Sequence, residues 1–256
     1  ETLLKSPEIE HGTIRIAFTP DEEVGSGASA LDLDAFGADY AYTIDGGEEG
    51  EITYENFNAC AAKFVINGFN VHPGSAKDTM VNASLVAMEF DSMLPKGETP
   101  RDTEGYEGFY HLLNMEGECA LAKLHYIIRD HDVEKFNQRK EIMKQITDDL
   151  NKKWGKGTVV LTLKDQYRNM REVIAQHMHL IDNAKKACET VRLTPQCLPI
   201  RGGTDGCQLS FRGLPCPNLG TGGHAYHGPY EHISVEGMDM CVDIVVELIK
   251  LYTEGY

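Results

Sequence analysis

Nothing in this sequence is apolar for long enough to cross a bilayer: no run approaches the roughly 20 residues that a spanning helix needs. The chain does not open with the charged, apolar and small-residue succession of a secretory signal either. Positive charge is scarce, with 24 Lys and Arg against 40 Asp and Glu and a net charge of −16. That balance argues against nucleic acid as a partner, because phosphate binding draws its affinity from clustered Lys and Arg. Aromatic residues make up 8% of the chain with a single Trp, too few for the stacking surface a sugar site often has. The seven cysteines lie scattered from Cys60 to Cys241 without CxxC spacing. An odd, unpatterned set fits a reducing compartment better than a disulfide framework, and a cytoplasmic setting is the expectation.

What is present is an ordinary globular composition. With 256 residues, 41% hydrophobic and 25% charged, the chain can bury a sizeable core in one large domain or two smaller ones. The opening Glu1-Thr-Leu-Leu-Lys reads as the last turn of a helix running into Pro7, as though the sequence were cut from a longer one. Alternation from Gly12 to Phe18 predicts a strand leading into the loop Thr19-Pro20-Asp21-Glu22-Glu23. A second strand is expected at Asp39–Ile44, ending in Asp45-Gly46-Gly47. A third, Cys197–Ile200, breaks into Arg201-Gly-Gly-Thr-Asp205-Gly206, and a fourth near Pro215–Leu219 breaks into the glycine-rich loop that holds His227. Apolar spacing predicts helices over Glu172–Thr190 and Val235–Tyr252. Four polar loops at successive strand ends are where an open α/β sheet places its ligands.

The middle of the chain has a different grain. Phe57–Asn67, Ala120–Arg129 and Gly157–Leu163 read as strands, and Thr79–Leu94 and Val133–Lys153 as amphipathic helices. That order suggests a small α+β sandwich, helices on one face of an antiparallel sheet, inserted into an α/β domain. The expected boundaries are 1–55 and 168–256 for the α/β domain, with 56–167 inserted between them.

Neighbouring acids on an extended segment project to opposite sides, so Glu23 can bind a metal while Glu22 handles protons. Asp45 and His227 complete a set of oxygen and imidazole donors suited to zinc, cobalt or manganese. A metal pair lowers the pKa of bound water and polarises a carbonyl, and a carboxylate beside it can carry the proton to a departing amine. Each motif alone reads as readily as a solvated loop, a turn or a surface histidine. Their recurrence at strand ends favours the functional reading. A glycosidase pairing of Glu22 with Asp45 would leave His227 without a role.

Six segments carry a more specific likeness. Thr19–Gly25 (TPDEEVG), Thr43–Gly47 (TIDGG), Val71–Lys77 (VHPGSAK), Thr103–Phe109 (TEGYEGF), Ile200–Gly206 (IRGGTDG) and Gly222–Gly228 (GGHAYHG) resemble the peptidase T family of dinuclear-zinc aminopeptidases, almost from end to end. The resemblance implies a partial zinc-peptidase catalytic domain of α/β class, a mixed sheet flanked by helices, with an inserted α+β ferredoxin-like lid and dimerisation domain. It implies Glu22 as general base, Glu23 and His227 as ligands of one zinc, and Asp45 as a ligand of the other. His72 would reach a neighbouring subunit's site and help hold the tetrahedral oxyanion. Arg201 and Asn82 would bind substrate, Arg201 by clasping the peptide carboxylate with a bidentate guanidinium. The expected activity is release of the N-terminal residue from tripeptides by a homodimer. The rivals are a deacylase or dipeptidase of the same fold, and a catalytically incomplete fragment that only dimerises.

Two departures stand out. The family pattern has a His-x-Asp segment and a bridging Asp upstream of the motif that begins here at Thr19, and this sequence holds neither. Glu23 with His227, and Asp45 alone, therefore fall short of the three protein ligands usual for a catalytic zinc. Ala225 also stands where the family pattern has a polar residue such as Asn.

Overall fold

The computed structural model describes residues 1–253. It divides into two compact units, one made of Glu1–Asn56 with the chain from Asn169 onward, the other of Phe57–Arg168. In chain order the elements are α1 (Thr2–Lys5), α2 (Leu33–Phe36), β1 (Thr43–Ile44), β2 (Glu51–Thr53), β3 (Asn58–Asn67), α3 (Ala83–Met93), β4 (Phe109–Gly117), β5 (Leu121–Asp130) and α4 (Val133–Trp154). They continue with β6 (Val159–Tyr167), α5 (Arg171–Ile174), α6 (His179–Thr190), β7 (Gln196–Cys197), α7 (Asp205–Phe211), β8 (Asn218–Leu219), β9 (Gly223–His224), β10 (His232–Ile233) and α8 (Val235–Leu251).

The unit Phe57–Arg168 is a β-α-β-β-α-β arrangement whose antiparallel sheet has the order β4-β5-β3-β6, the ferredoxin-like topology. Strand β5 alternates strictly, so Ala122, Leu124, Tyr126 and Ile128 all point to the face that α3 and α4 cover. The helices answer with Val86, Ala87 and Phe90 from α3 and Phe136, Met143, Ile146 and Leu150 from α4. At the centre, Phe64, Phe90 and Tyr126 meet as tilted and edge-on rings with centroids 4.2–5.9 Å apart. Each buried ring contributes about 1.5–3 kcal/mol through area alone. Helix α3 starts at Ala83 rather than Thr79, because the Asn82 side chain caps it at the Leu85 N–H and Val81 is drawn into a bridge with Phe69. Strand β4 has no counterpart among the sequence expectations. It is an edge strand, buried only at its first two positions and interrupted by a bulge near Leu112–Asn114, so it shows no clean alternation.

The other unit carries a mixed sheet of very short strands, order β1-β8-β2-β7. β1 runs parallel to β8 and β2 parallel to β7, while β2 and β8 are antiparallel. Flanking helices contribute its core, with Leu180, Ile181, Ala184 and Ala187 of α6 and Ile244 and Leu248 of α8 all buried. Three expectations need correction here. The predicted strand Gly12–Phe18 is not one: the segment makes no ladder with any described strand, and Ile16 and Phe18 stand 75% and 93% exposed. Alternation supplies the pattern, but a strand also needs a neighbouring edge to bond with. The expected strand Asp39–Ile44 shrinks to its last two residues, Thr43–Ile44. The single helix expected over Glu172–Thr190 is two, because Gln176 and His177 bond back three residues, to Val173 and Ile174, and tighten the turn between α5 and α6. Among the described residues no helix is long and apolar enough to cross a membrane.

Candidate active site

The parallel pairing of β1 with β8 sets two loops side by side. Beyond the strands the pairing continues: Asp45 N–H donates to the Leu219 carbonyl at 3.1 Å, Thr221 N–H to Gly46 at 2.8 Å and Gly222 N–H to Gly47 at 3.0 Å. Buried Asn218 adds a side-chain lock. Its amide donates to the Asp45 carbonyl at 2.5 Å while its own oxygen accepts from the Thr43 hydroxyl at 2.8 Å. Asp45 is thus held by its backbone at the end of β1. From the partner loop, the Tyr226 hydroxyl donates to the Gly47 carbonyl at 3.1 Å, and the His227 N–H donates to Glu231 Oε2 at 3.0 Å.

Glu22 and Glu23 reach this place by a route that differs from the expectation. They lie in a single 3-10 turn, Glu22–Val24, and not on an extended segment. Left-handed residues bound the turn on both sides, Asp21 at φ 63° and Gly25 at φ 76°. The turn aims Glu23 at the glycine-rich loop, where its Oε2 lies 3.1 Å from His227 Nε2. Both side chains are 74% exposed, so this contact adds little stability as an ion pair.

The electrostatics tie the remaining acids to the pair. Partial burial pushes the Glu22 carboxyl above its ordinary value, and the charges of Asp45, Asp205 and Glu23 push it further, against His227. Asp45 is raised in the same way, by burial first and then by Glu23 and Asp205, with the Gly46 N–H and His227 opposing. Glu22, Glu23, Asp45, Asp205 and His227 therefore share one field, a concentration of negative charge in which a divalent cation would relieve mutual repulsion. The donor types suit such a cation, yet among the described residues no group of three or more His, Cys, Asp or Glu is placed to hold one.

Asp205 escaped the sequence reading. It opens α7 with only 4% of its surface exposed, one carboxylate oxygen accepting the Ala28 N–H at 2.8 Å and the other without a partner. Its signal was an acid in the first turn of a helix, which reads equally well as a dipole partner.

His72 and Asn82 belong to the unit Phe57–Arg168, and both have local work there. His72 Nδ1 accepts the Gly74 N–H at 3.1 Å and caps the turn Pro73–Ser75. Asn82 caps α3 through the Leu85 N–H at 3.3 Å. Arg201 is half-buried in the bend between β7 and α7.

Known proteins resemble this chain in sequence and in fold. Residues 54–158 match the family model described as a peptidase dimerisation domain. A peptidase T of Clostridium perfringens strain SM101 is 56% identical over 254 residues, which is 99% of this chain and 63% of that protein. The crystal structure of the aminopeptidase PepT from Bacillus cereus superposes with a TM-score of 0.84 at 27% identity, covering 97% of this chain and 67% of that one. A tripeptidase structure from Staphylococcus aureus shares the fold, with a TM-score of 0.87 at 21% identity over 99% of this chain and 68% of its own. The chain is thus similar to peptidase T along nearly all of its own sequence while spanning about 63% of the curated relative's length.

Proposed function

We propose that this chain carries the catalytic base, part of the metal site and the dimerisation domain of a metallo-aminopeptidase that releases the N-terminal residue from tripeptides. The observation that carries the reading is the convergence of Glu23 and His227, remote in sequence, to 3.1 Å, with Glu22 and Asp45 in the same electrostatic field. Glu23 and His227 would hold one divalent ion and Asp45 another, with zinc as the ion the resemblance implies. Such an ion supplies Lewis acidity toward a carbonyl and acidity to bound water.

The chain's own residues supply the rest. Glu22, held near the donors without being one of them, takes the proton from the attacking water and returns it to the departing amine. Arg201 clasps the substrate carboxylate through its planar fork, and Asn82 contributes a further substrate contact. His72 would steady the tetrahedral oxyanion of a neighbouring subunit's site, which makes a homodimer built through Phe57–Arg168 part of the proposal. The seven free cysteines accord with a cytoplasmic location.

Substituting Glu22→Gln in the full-length protein tests the central role. Tripeptide turnover is expected to fall about a hundred- to ten-thousandfold while divalent-ion affinity holds; retained turnover would remove Glu22 from the mechanism. Comparing tripeptide with N-acyl amino acid turnover by the same protein separates the aminopeptidase from a deacylase of the same fold.

A second reading is favoured by the absence of a three-ligand cluster among the described residues: the 256-residue chain alone dimerises without catalysing. Zinc titration of that chain decides it. Tight uptake of two ions contradicts this reading, and negligible uptake supports it.

A further inference from the structure

The Glu22–Glu23 turn has little of its own to hold it in place. It buries no residue and receives no side-chain cap, and both residues flanking it have left-handed backbone. What fixes it must come from the segment just downstream, the 3-10 turn Gly27–Ala30, whose Gly27 and Ala28 are fully buried or nearly so. Two side chains of α7 and that of Arg212 at its C-terminal cap grip that segment. Asp205 accepts the Ala28 N–H, the Gln208 amide donates to the Gly25 carbonyl at 3.4 Å, and the Arg212 guanidinium donates to the carbonyls of Ala28 and, at 2.5 Å, Leu31. Positions 205 and 208 are three apart and share one face of α7, and Arg212 follows directly at its C-terminal cap. Ala28 completes the seat by packing with Leu209, Leu214 and Cys216.

Asp205 is the buried member of this set, and Gly27 is shaped around it. A Cβ on Gly27 would lie 2.4 and 2.7 Å from the two Asp205 oxygens, closer than any side chain tolerates. A buried carboxylate that accepts a backbone N–H in so narrow a space fixes the peptide plane of Ala28 strongly.

We propose that Asp205 is a positioning residue of the active site: by holding the Ala28 N–H from the first turn of α7, with Gly27 leaving it room, it sets where Glu22 and Glu23 stand relative to His227. Asp205 touches neither substrate nor the reacting atoms in this role. The proposal rests on reading Glu22 and Glu23 as base and ligand, so its test uses observables that do not depend on turnover.

The measurements are amide hydrogen exchange at Ala28 and the ring NMR signals of His227 in the 256-residue chain, with thermal unfolding as a control for folding. Asp205→Ala is expected to lower Ala28 protection at least about tenfold, the scale of a lost charge-assisted hydrogen bond, and to shift the His227 ring signals as Glu23 moves off. Gly27→Ala, acting from the other side of the same contact, should give the same two changes. The double variant should then lose less than the sum of the singles, since both remove one interaction. Asp205→Asn retains an oxygen toward Ala28 and should keep both signals near their original values. Unchanged Ala28 protection or unchanged His227 signals in Asp205→Ala would overturn the proposal, as would Asp205→Asn proving as damaging as Asp205→Ala. If Asp205→Ala does not fold, Gly27→Ala and Asp205→Asn make the same comparison. Retained turnover in Glu22→Gln would refute the reading of the site yet leave the Ala28 measurements to decide this proposal separately.

Discussion

Ala225 and His227 adopt φ values of 57° and 59°, in the left-handed region that residues with a Cβ avoid. The glycine-rich loop that brings His227 to Glu23 is therefore strained at two positions, and the contact depends on tethers such as Tyr226 to Gly47 and His227 to Glu231. Asn tolerates this conformation better than Ala, so Ala225→Asn is expected to raise stability by up to about 1 kcal/mol, measured by denaturant unfolding. An unchanged or lowered midpoint would show that strain at Ala225 is not limiting.

The acids of the site invite a second measurement at this scale. Burial and neighbouring carboxylates raise Glu22 and Asp45 above their ordinary values, so the folded chain holds these protons more tightly than the unfolded chain does. Stability from the protonated forms is complete below about pH 4, the ordinary carboxylate range, and is lost as pH rises through the raised values. In the metal-free chain, Asp45→Asn should increase thermal stability at neutral pH and flatten the decline that begins above about pH 4. Parallel pH profiles for parent and variant would contradict this.

Among the elements, α4 shows how a helix is keyed to its sheet. Arg139, mostly covered, donates to buried Asp130 at the end of β5 at 2.8 Å, pairs also with Glu98, and lays its guanidinium 5.1 Å from the Tyr110 ring centroid. Arg139 keeps Glu98 when Asp130 is removed but loses a buried charge-assisted hydrogen bond, so Asp130→Ala should cost about 1.5–3 kcal/mol in equilibrium unfolding. A loss below about 1 kcal/mol would place the pair among ordinary surface bridges.

Elements with both a clear period and a complete set of neighbours were legible from sequence. β3, β5, α4 and α8 lie within a residue or two of their expected spans, since their apolar faces meet a partner. The misses share a physical cause in the relation of pattern to partner. Gly12–Phe18 has the alternation of a strand without an edge to join, and β4 has an edge to join without the alternation. In the site, Glu23 and His227 could be matched because their chemistry and their place in loops pointed the same way. The 3-10 turn beneath Glu22 was hidden, because left-handed Asp21 is set by tertiary context and not by its residue type. Asp205 was hidden too: its importance lies in burial, which one acid in a glycine-rich motif does not announce.

At the scale of the molecule, the unit Phe57–Arg168 has a core that draws on its own strands and helices alone. Expressed by itself, residues 57–168 should fold and melt in one cooperative transition, monitored by near-ultraviolet circular dichroism through Trp154 and the tyrosines. A broad, non-cooperative melt would show that the unit depends on the remainder of the chain.

The chain leaves for this unit after Asn56 and returns at Asn169, and Asn56 is tied to Asn169 and Met170 across that junction. Asn56 N–H donates to the Asn169 side-chain oxygen at 3.1 Å, and Met170 N–H donates to the Asn56 side-chain oxygen at 2.8 Å. A whole module is thereby spliced in between two points of its host that hydrogen bonds hold together. Such a junction lets the inserted piece be exchanged or lost over evolution without re-threading the host, with one reciprocal clasp as the scar that remains.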